Sequence, residues 1–129
     1  MKLKKPLIII AIVIAALAVA FLGVKATLES GLKEMANTAI DEMDLGQVTD
    51  GDYPGSFSAF PVSVKLSVKV RDHRISAIDL IEHTNGQGKP AEALLAKVVE
   101  TQKVDQDVVS GATYSSKAIL LAISNALGK

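Results

Sequence analysis

The sequence predicts an α+β fold: a small antiparallel sheet packed with helices, preceded by one N-terminal transmembrane helix. Three observations predict it. Leu7 to Val24 is an unbroken run without charge or strongly polar side chain. Val62, Val64, Leu66, Val68 and Val70 alternate with Ser63, Lys65, Ser67 and Lys69, a period of two that buries one face and wets the other. Two later stretches carry apolar residues at three- and four-residue steps, as helices on one face of a sheet require.

The apolar run spans roughly 27 Å as a helix, close to the thickness of a bilayer core. Lys2, Lys4 and Lys5 precede it and Lys25 follows. The positive-inside rule then sets the N-terminus in the cytoplasm and the rest outside the cell membrane. A cleaved leader is the competing reading, with an apolar region of about 7–15 residues ending in small side chains. The greater length of the run favours a retained single-pass anchor. The expected organisation is a basic tip and anchor over 1–26, a helical stalk or linker over 27–46, and one domain over 47–129.

Leu28, Leu32, Met35, Ala36, Ala39, Ile40 and Met43 predict a helix over 27–45, with Thr27 or Ser30 as cap and Gly46 as stop. It either continues the membrane helix or folds back onto the domain. Asp50 to Gly55 is dense in turn formers and predicts a turn. A short strand around Ser56–Phe60 precedes the alternating one. Arg71-Asp72-His73-Arg74 turns into a further strand, Ile75 to Glu82. Pro90 opens a helix with Ala91, Leu94, Leu95, Val98 and Val99 inward. The last helix, about Ser115 to Leu127, buries Ile119, Ala122, Ile123 and Ala126.

Composition excludes several functions. The chain has no cysteine, hence no disulfide, thiolate catalyst, iron–sulfur cluster or Cys-based zinc site. Beyond residue 26 there are ten Lys and Arg against fourteen Asp and Glu, and such an acidic domain does not suit nucleic acid. His73 and His83, the two histidines, lack a second ligand at a metal spacing. Gly86-Gln87-Gly88-Lys89-Pro90-Ala91 has the spacing of a dinucleotide loop, but the chain is too short for the parallel sheet that loop serves.

Between the two late helices stands Asp107-Val108-Val109-Ser110-Gly111-Ala112-Thr113-Tyr114-Ser115-Ser116. Gly111 permits a tight backbone, and Thr113, Ser115 and Ser116 crowd the start of the last helix. Free amides and the helix dipole make such a start a phosphate site; equally, the hydroxyls can serve as ordinary N-caps.

Asp107-x-x-Ser110-Gly111-Ala112-Thr113 resembles the flavinylation motif of FMN-binding domain proteins, Asp-x-x-Ser/Thr-Gly-Ala-Ser/Thr. Relatives in that family include flavin subunits of the sodium-translocating NADH:quinone reductase and the Rnf complex, and flavoproteins of extracellular electron transfer. The opening Asp-Gly-Asp-Tyr-Pro-Gly and the closing Tyr-Ser-Ser-Lys-Ala-Ile extend the resemblance over about 47–129. It implies FMN joined by a phosphoester to Thr113. The attachment is made by a flavin transferase that uses FAD and magnesium and releases AMP. Asp107, Ser110, Gly111 and Ala112 would shape the acceptor loop. Many relatives carry His-x-Glu-Thr-Pro-Gly-Leu-Gly after the third strand; here that stretch is His83-Thr84-Asn85-Gly86-Gln87-Gly88-Lys89-Pro90, without the acid and the first proline. Tyr114, Tyr53 and His83 are the candidates for contact with the flavin ring, against core packing.

The resemblance implies an electron carrier, rather than an enzyme with its own substrate pocket. It would be anchored in the lipid bilayer between a membrane electron donor and an extracytoplasmic acceptor. The alternatives are an accessory flavin subunit or reductase domain of a larger membrane oxidoreductase, and an unflavinylated module that binds an anion or an envelope partner.

Overall fold

The computed structural model describes residues 4–84 and 89–128. Helix α1, Lys4–Asn37, runs without a break through the apolar segment and 13 residues past Val24. It is the one helix among the described residues long and apolar enough to cross a membrane, and its apolar segment is exposed along its whole length. Thr27 therefore lies mid-helix, its hydroxyl donating to the Gly23 carbonyl at 3.0 Å instead of capping a new start. The segment after the apolar run continues the first helix as far as Asn37, and its Leu32 and Met35 also pack on the domain core. The helix stops short of Gly46, however. After Asn37 the chain leaves helical geometry, and Ile40, Met43 and Leu45 pack against the core, which a straight helix would carry them past. Asp44 then caps a single 3₁₀ turn, Leu45–Gln47, by accepting from the Gly46 amide.

The domain is a three-stranded antiparallel meander, β1 (Gly51–Ala59), β2 (Val62–Arg71) and β3 (Arg74–Thr84), in that spatial order. Helices α2 (Ala93–Thr101) and α3 (Thr113–Leu127) follow. The turn expected over Asp50–Gly55 is instead the first half of β1. As an edge strand, β1 tolerates Pro54, whose missing amide proton would cost a hydrogen bond in a central strand. Gly55 is there for another reason: it is buried, and α3 crosses directly above it. Pro90 opens only a 3₁₀ segment, Lys89–Glu92, before α2 begins, and α3 starts two residues earlier than its apolar stripe suggested.

The inner face of β2 is Val62, Val64, Leu66, Val68 and Val70, all buried. Against it lies α3, buried along nearly its whole length, with Ala118, Ile119, Ala122, Ile123 and Ala126 in the core. The outer face of β2 carries Lys65 and Lys69, paired with Glu82 and Asp79 of β3 at 3.6 and 3.1 Å. The turns are two-residue loops. Asp72 and His73 both have positive φ, 53° and 59°, the geometry that matches the twist of a hairpin. Phe60 and Pro61, joined by a cis peptide bond, close the other.

β3 does not keep strict alternation. Its register slips between Lys69 and Val70, and again between Lys65 and Leu66, leaving Ser76 and Ile81 as bulge residues. Ile75, Ile78, Leu80 and His83 consequently share the inner face, opposite Val70, Val68, Leu66 and Val64. Each slip of one residue exchanges the two faces of the strand that follows. The second one puts Ile81 out in solvent, 67% exposed, and turns His83 inward.

Two side chains tie the loops to this frame. Glu42 accepts from the amides of Val104 and Asp105 at 3.2 and 2.6 Å, holding the start of the α2–α3 connection. Gln102, left-handed at φ 61°, ends α2. Its side chain accepts from the Ile75 amide at 2.7 Å and donates to the Ile75 carbonyl at 2.8 Å, so that one amide group pairs with β3 as a strand residue would. Gln102→Ala should destabilise the domain by about 2–3 kcal/mol, from three lost part-buried hydrogen bonds, to the Ile75 amide and to the Ile75 and Val99 carbonyls, readable as a lower urea midpoint with unchanged slope.

Candidate functional site

The loop entering α3 is a tight turn followed by an uncapped helix. The Ala112 amide donates to the Val109 carbonyl at 2.9 Å, and Gly111, third in the turn, has φ 80°. That is the position of a type II turn that glycine fills without strain. Ala112 is the N-cap and has no side-chain oxygen to offer. Its carbonyl accepts from Ser116, so the first intrahelical bond is made, while the amides of Thr113, Tyr114 and Ser115 precede the helix's own acceptors.

The hydroxyls of this segment have separate fates. Ser116 is fully buried, and its Oγ accepts from the Val109 amide at 2.9 Å, closing the turn on the helix. Ser115 is buried as well, with Oγ 3.0 Å from Nε2 of His83. Thr113, the first residue of α3, is exposed, and its hydroxyl has no hydrogen-bond partner among the described residues. Ser110 is exposed too, but lies outside the helix on the turn. The reading of Ser115 and Ser116 as an over-supplied cap therefore does not hold: both point into the fold, and Thr113 is left facing solvent beside the free amides.

The structure gathers most of the residues anticipated from sequence. Asp107, Ser110, Gly111, Ala112, Thr113 and Tyr114 lie on one continuous loop and helix start, with Ala112 buried and Tyr114 39% exposed. His83 joins them from β3 through Ser115. Its side chain is only 2% exposed, and its other ring nitrogen, Nδ1, lies 3.0 Å from Oε1 of Glu92 in the segment before α2. Tyr53 is not brought to this place. Its hydroxyl donates to the Thr49 carbonyl at 2.7 Å, and it lines a hollow of about 330 Å³ with Leu127 and Gly128, at the opposite end of α3. From Thr113 to that end the helix rises roughly 21 Å. Residues 85–88 of the stretch that departs from the family pattern lie outside the described residues.

Three further residues belong to this end of the domain. Glu92 is reached only through the fold. Lys117 stands four residues after Thr113, hence on the same face of α3, and its ammonium makes no ion pair among the described residues. That spacing was readable from the sequence. Phe60, 74% exposed at the tip of the β1–β2 hairpin, lies at the end of the sheet where Val64 pairs with His83.

These features fit a phosphate-bearing group on Thr113. An exposed hydroxyl stands beside amides without helical acceptors, at the positive end of a helix 15 residues long, with a lysine one turn on.

A family model described as an FMN-binding domain matches residues 60–128, more than half of the chain. An uncharacterized protein of Treponema pallidum (strain Nichols) is 31% identical over 84 residues, covering 63% of this chain. The match takes in 23% of that protein, so the chain corresponds to less than a quarter of its relative's length. On the match over 60–128, the chain belongs to the FMN-binding domain family.

Proposed function

We propose that the protein is a membrane-anchored, extracytoplasmic electron carrier with FMN attached covalently to Thr113. The observation that carries this reading is the state of the four hydroxyls: Ser115 and Ser116 are buried and engaged, Ser110 sits off the helix, and Thr113 alone is exposed at the uncapped start. In the attachment step, a flavin transferase holding FAD and magnesium brings the phosphorus of the FMN half to Oγ1 of Thr113. The Thr113 O–P bond forms, the pyrophosphate P–O bond breaks, AMP leaves, and the hydroxyl proton is released. Bound FMN supplies electron transfer in steps of one or two electrons.

The residues around it do the holding. The amides of Thr113, Tyr114 and Ser115 and the ammonium of Lys117 would compensate the remaining phosphate charge. Gly111 keeps the loop tight enough to bring the hydroxyl to the helix start, and the exposed ring of Tyr114 offers an apolar surface beside the tether. With α1 in the bilayer and its basic end in the cytoplasm, the domain stands outside, between a membrane donor and an extracytoplasmic acceptor.

Coexpression of the full chain with a flavin transferase should give a protein heavier by one FMN less one water. Its yellow-green fluorescence should survive denaturing electrophoresis, and peptide mass mapping should place the added group on Thr113. A protein of unmodified mass, made beside a control substrate that is modified, would sink the covalent reading.

A further inference from the structure

His83, its side chain buried between two partners among the described residues, is a costly residue to place under a helix start. An imidazole out of water must have its nitrogens satisfied, and both are, by groups on two different segments. A carboxylate only accepts. In the neutral ring, therefore, Nδ1 donates to Glu92 and Nε2 accepts from the Ser115 hydroxyl. Glu92 selects the tautomer, the tautomer selects the direction of the Ser115 proton, and Ser115 lies in the same helical turn as Thr113. The bulge at Ile81 is what turns His83 to this face; without it, strict alternation would point Glu82 inward and His83 out.

Resting on the flavin reading above, we propose that His83 is a positioning residue for flavin attachment, acting through Ser115 on the presentation of Thr113. It pins the first turn of α3 to the end of β3, and it holds the Ser115 hydroxyl inward, away from the amides that receive the phosphate. Thr113 and Ser115, two residues apart, project to nearly opposite sides of the helix. Fixing Ser115 inside thus fixes Thr113 outside. Misplacing a reacting oxygen by about 1 Å is enough to slow a transfer up to about a hundredfold.

The test compares the full chain in detergent micelles with His83→Ala, His83→Gln, His83→Asn and Ser115→Ala. Purified flavin transferase, FAD and magnesium are supplied, at a temperature where circular dichroism shows each variant folded. Glutamine carries its amide near the place of Nε2 and keeps the link to Ser115; asparagine carries its amide near Nδ1 and keeps only the link to Glu92. The expected result is a kcat for labelling about tenfold or more below wild type in His83→Ala, His83→Asn and Ser115→Ala, with KM for FAD unchanged, and recovery to within about threefold in His83→Gln. A residue that merely stabilised the domain would give folded variants labelled at the wild-type rate, and that result would overturn the proposal. Equal rates in His83→Gln and His83→Asn would overturn it as well. The flavin reading is scored separately by whether wild type is labelled at Thr113; if it is not, both readings fall together.

Discussion

Thr113→Ala should abolish covalent flavin while leaving the fold intact. Its side chain is exposed and makes no hydrogen bond among the described residues, so its loss should change stability by no more than about 0.5 kcal/mol. The effect on flavin is all or none, because no other hydroxyl of the loop occupies the same place. Ser115 and Ser116 point into the core, and Ser110 stands on the turn, away from the free amides. Thr113→Ser retains the oxygen and should still be labelled, whereas Ser110→Ala should be labelled as wild type. In-gel flavin fluorescence of the four proteins, with thermal melts in parallel, reads all of this at once. Fluorescence that persists in Thr113→Ala and disappears in Ser110→Ala would move the acceptor to the turn.

The second large effect is structural. A methyl group at Gly55 would run into the Ala122 carbonyl oxygen and come within 2.6 Å of Ala126 Cβ, both on α3. The neighbours are helix backbone and a methyl, neither of which can rotate away, so β1 and α3 must separate. Overpacking of a tight core contact costs about 1–3 kcal/mol and more where backbone is struck, and Gly55→Ala belongs at the upper end or beyond. In a domain this small, that is a large share of total stability. The expected result is a chain that melts at a much lower temperature or is not recovered folded. An unchanged midpoint in urea would mean that α3 does not lie so close to β1. As a control, Gly111→Ala should be far milder, since nothing lies near its Cβ and only its positive φ resists a side chain.

These two positions also show what the sequence makes legible. The loop entering α3 was readable as a turn and helix start because its pattern is local: a glycine that a type II turn requires, followed by the start of a helix, within seven residues. The alternating strand, the turn after it and the last helix were readable for the same reason, each being a short-range periodicity. What escaped was set by pairing between distant segments. The run Asp50 to Gly55 has the composition of a turn, yet it is strand, because Gly55 answers to α3, some seventy residues on, and Pro54 to an edge position. No local pattern could show that β3 is bulged twice, and without the bulges His83 falls on the wrong face. Its partnership with Glu92 and Ser115 was therefore hidden, and the residue read only as a candidate for ring contact against core packing. The end of the stalk was missed similarly: apolar spacing persists to Met43, but the core takes up Ile40 and Met43 as extended chain.

The unbroken course of α1 has a mechanical consequence. Met35, 2% exposed, is part of the domain core, and it lies on the same rigid helix as the apolar run that ends at Val24. Eleven helical steps separate them, roughly 16 Å. A coiled linker between membrane and domain would act as a rope, letting the domain tumble and sample a volume set by its slack. Here the connection is a rod clamped at its outer end. With α1 in the bilayer, as proposed, tilting and spinning about the helix axis would be the motions left, and Thr113 would be confined to a thin layer at a set height above the membrane. Encounters would thereby be reduced from a search through three dimensions to one within a plane. On the proposed electron-carrier reading, a redox partner of the wrong height would never meet a flavin on Thr113, however abundant it was.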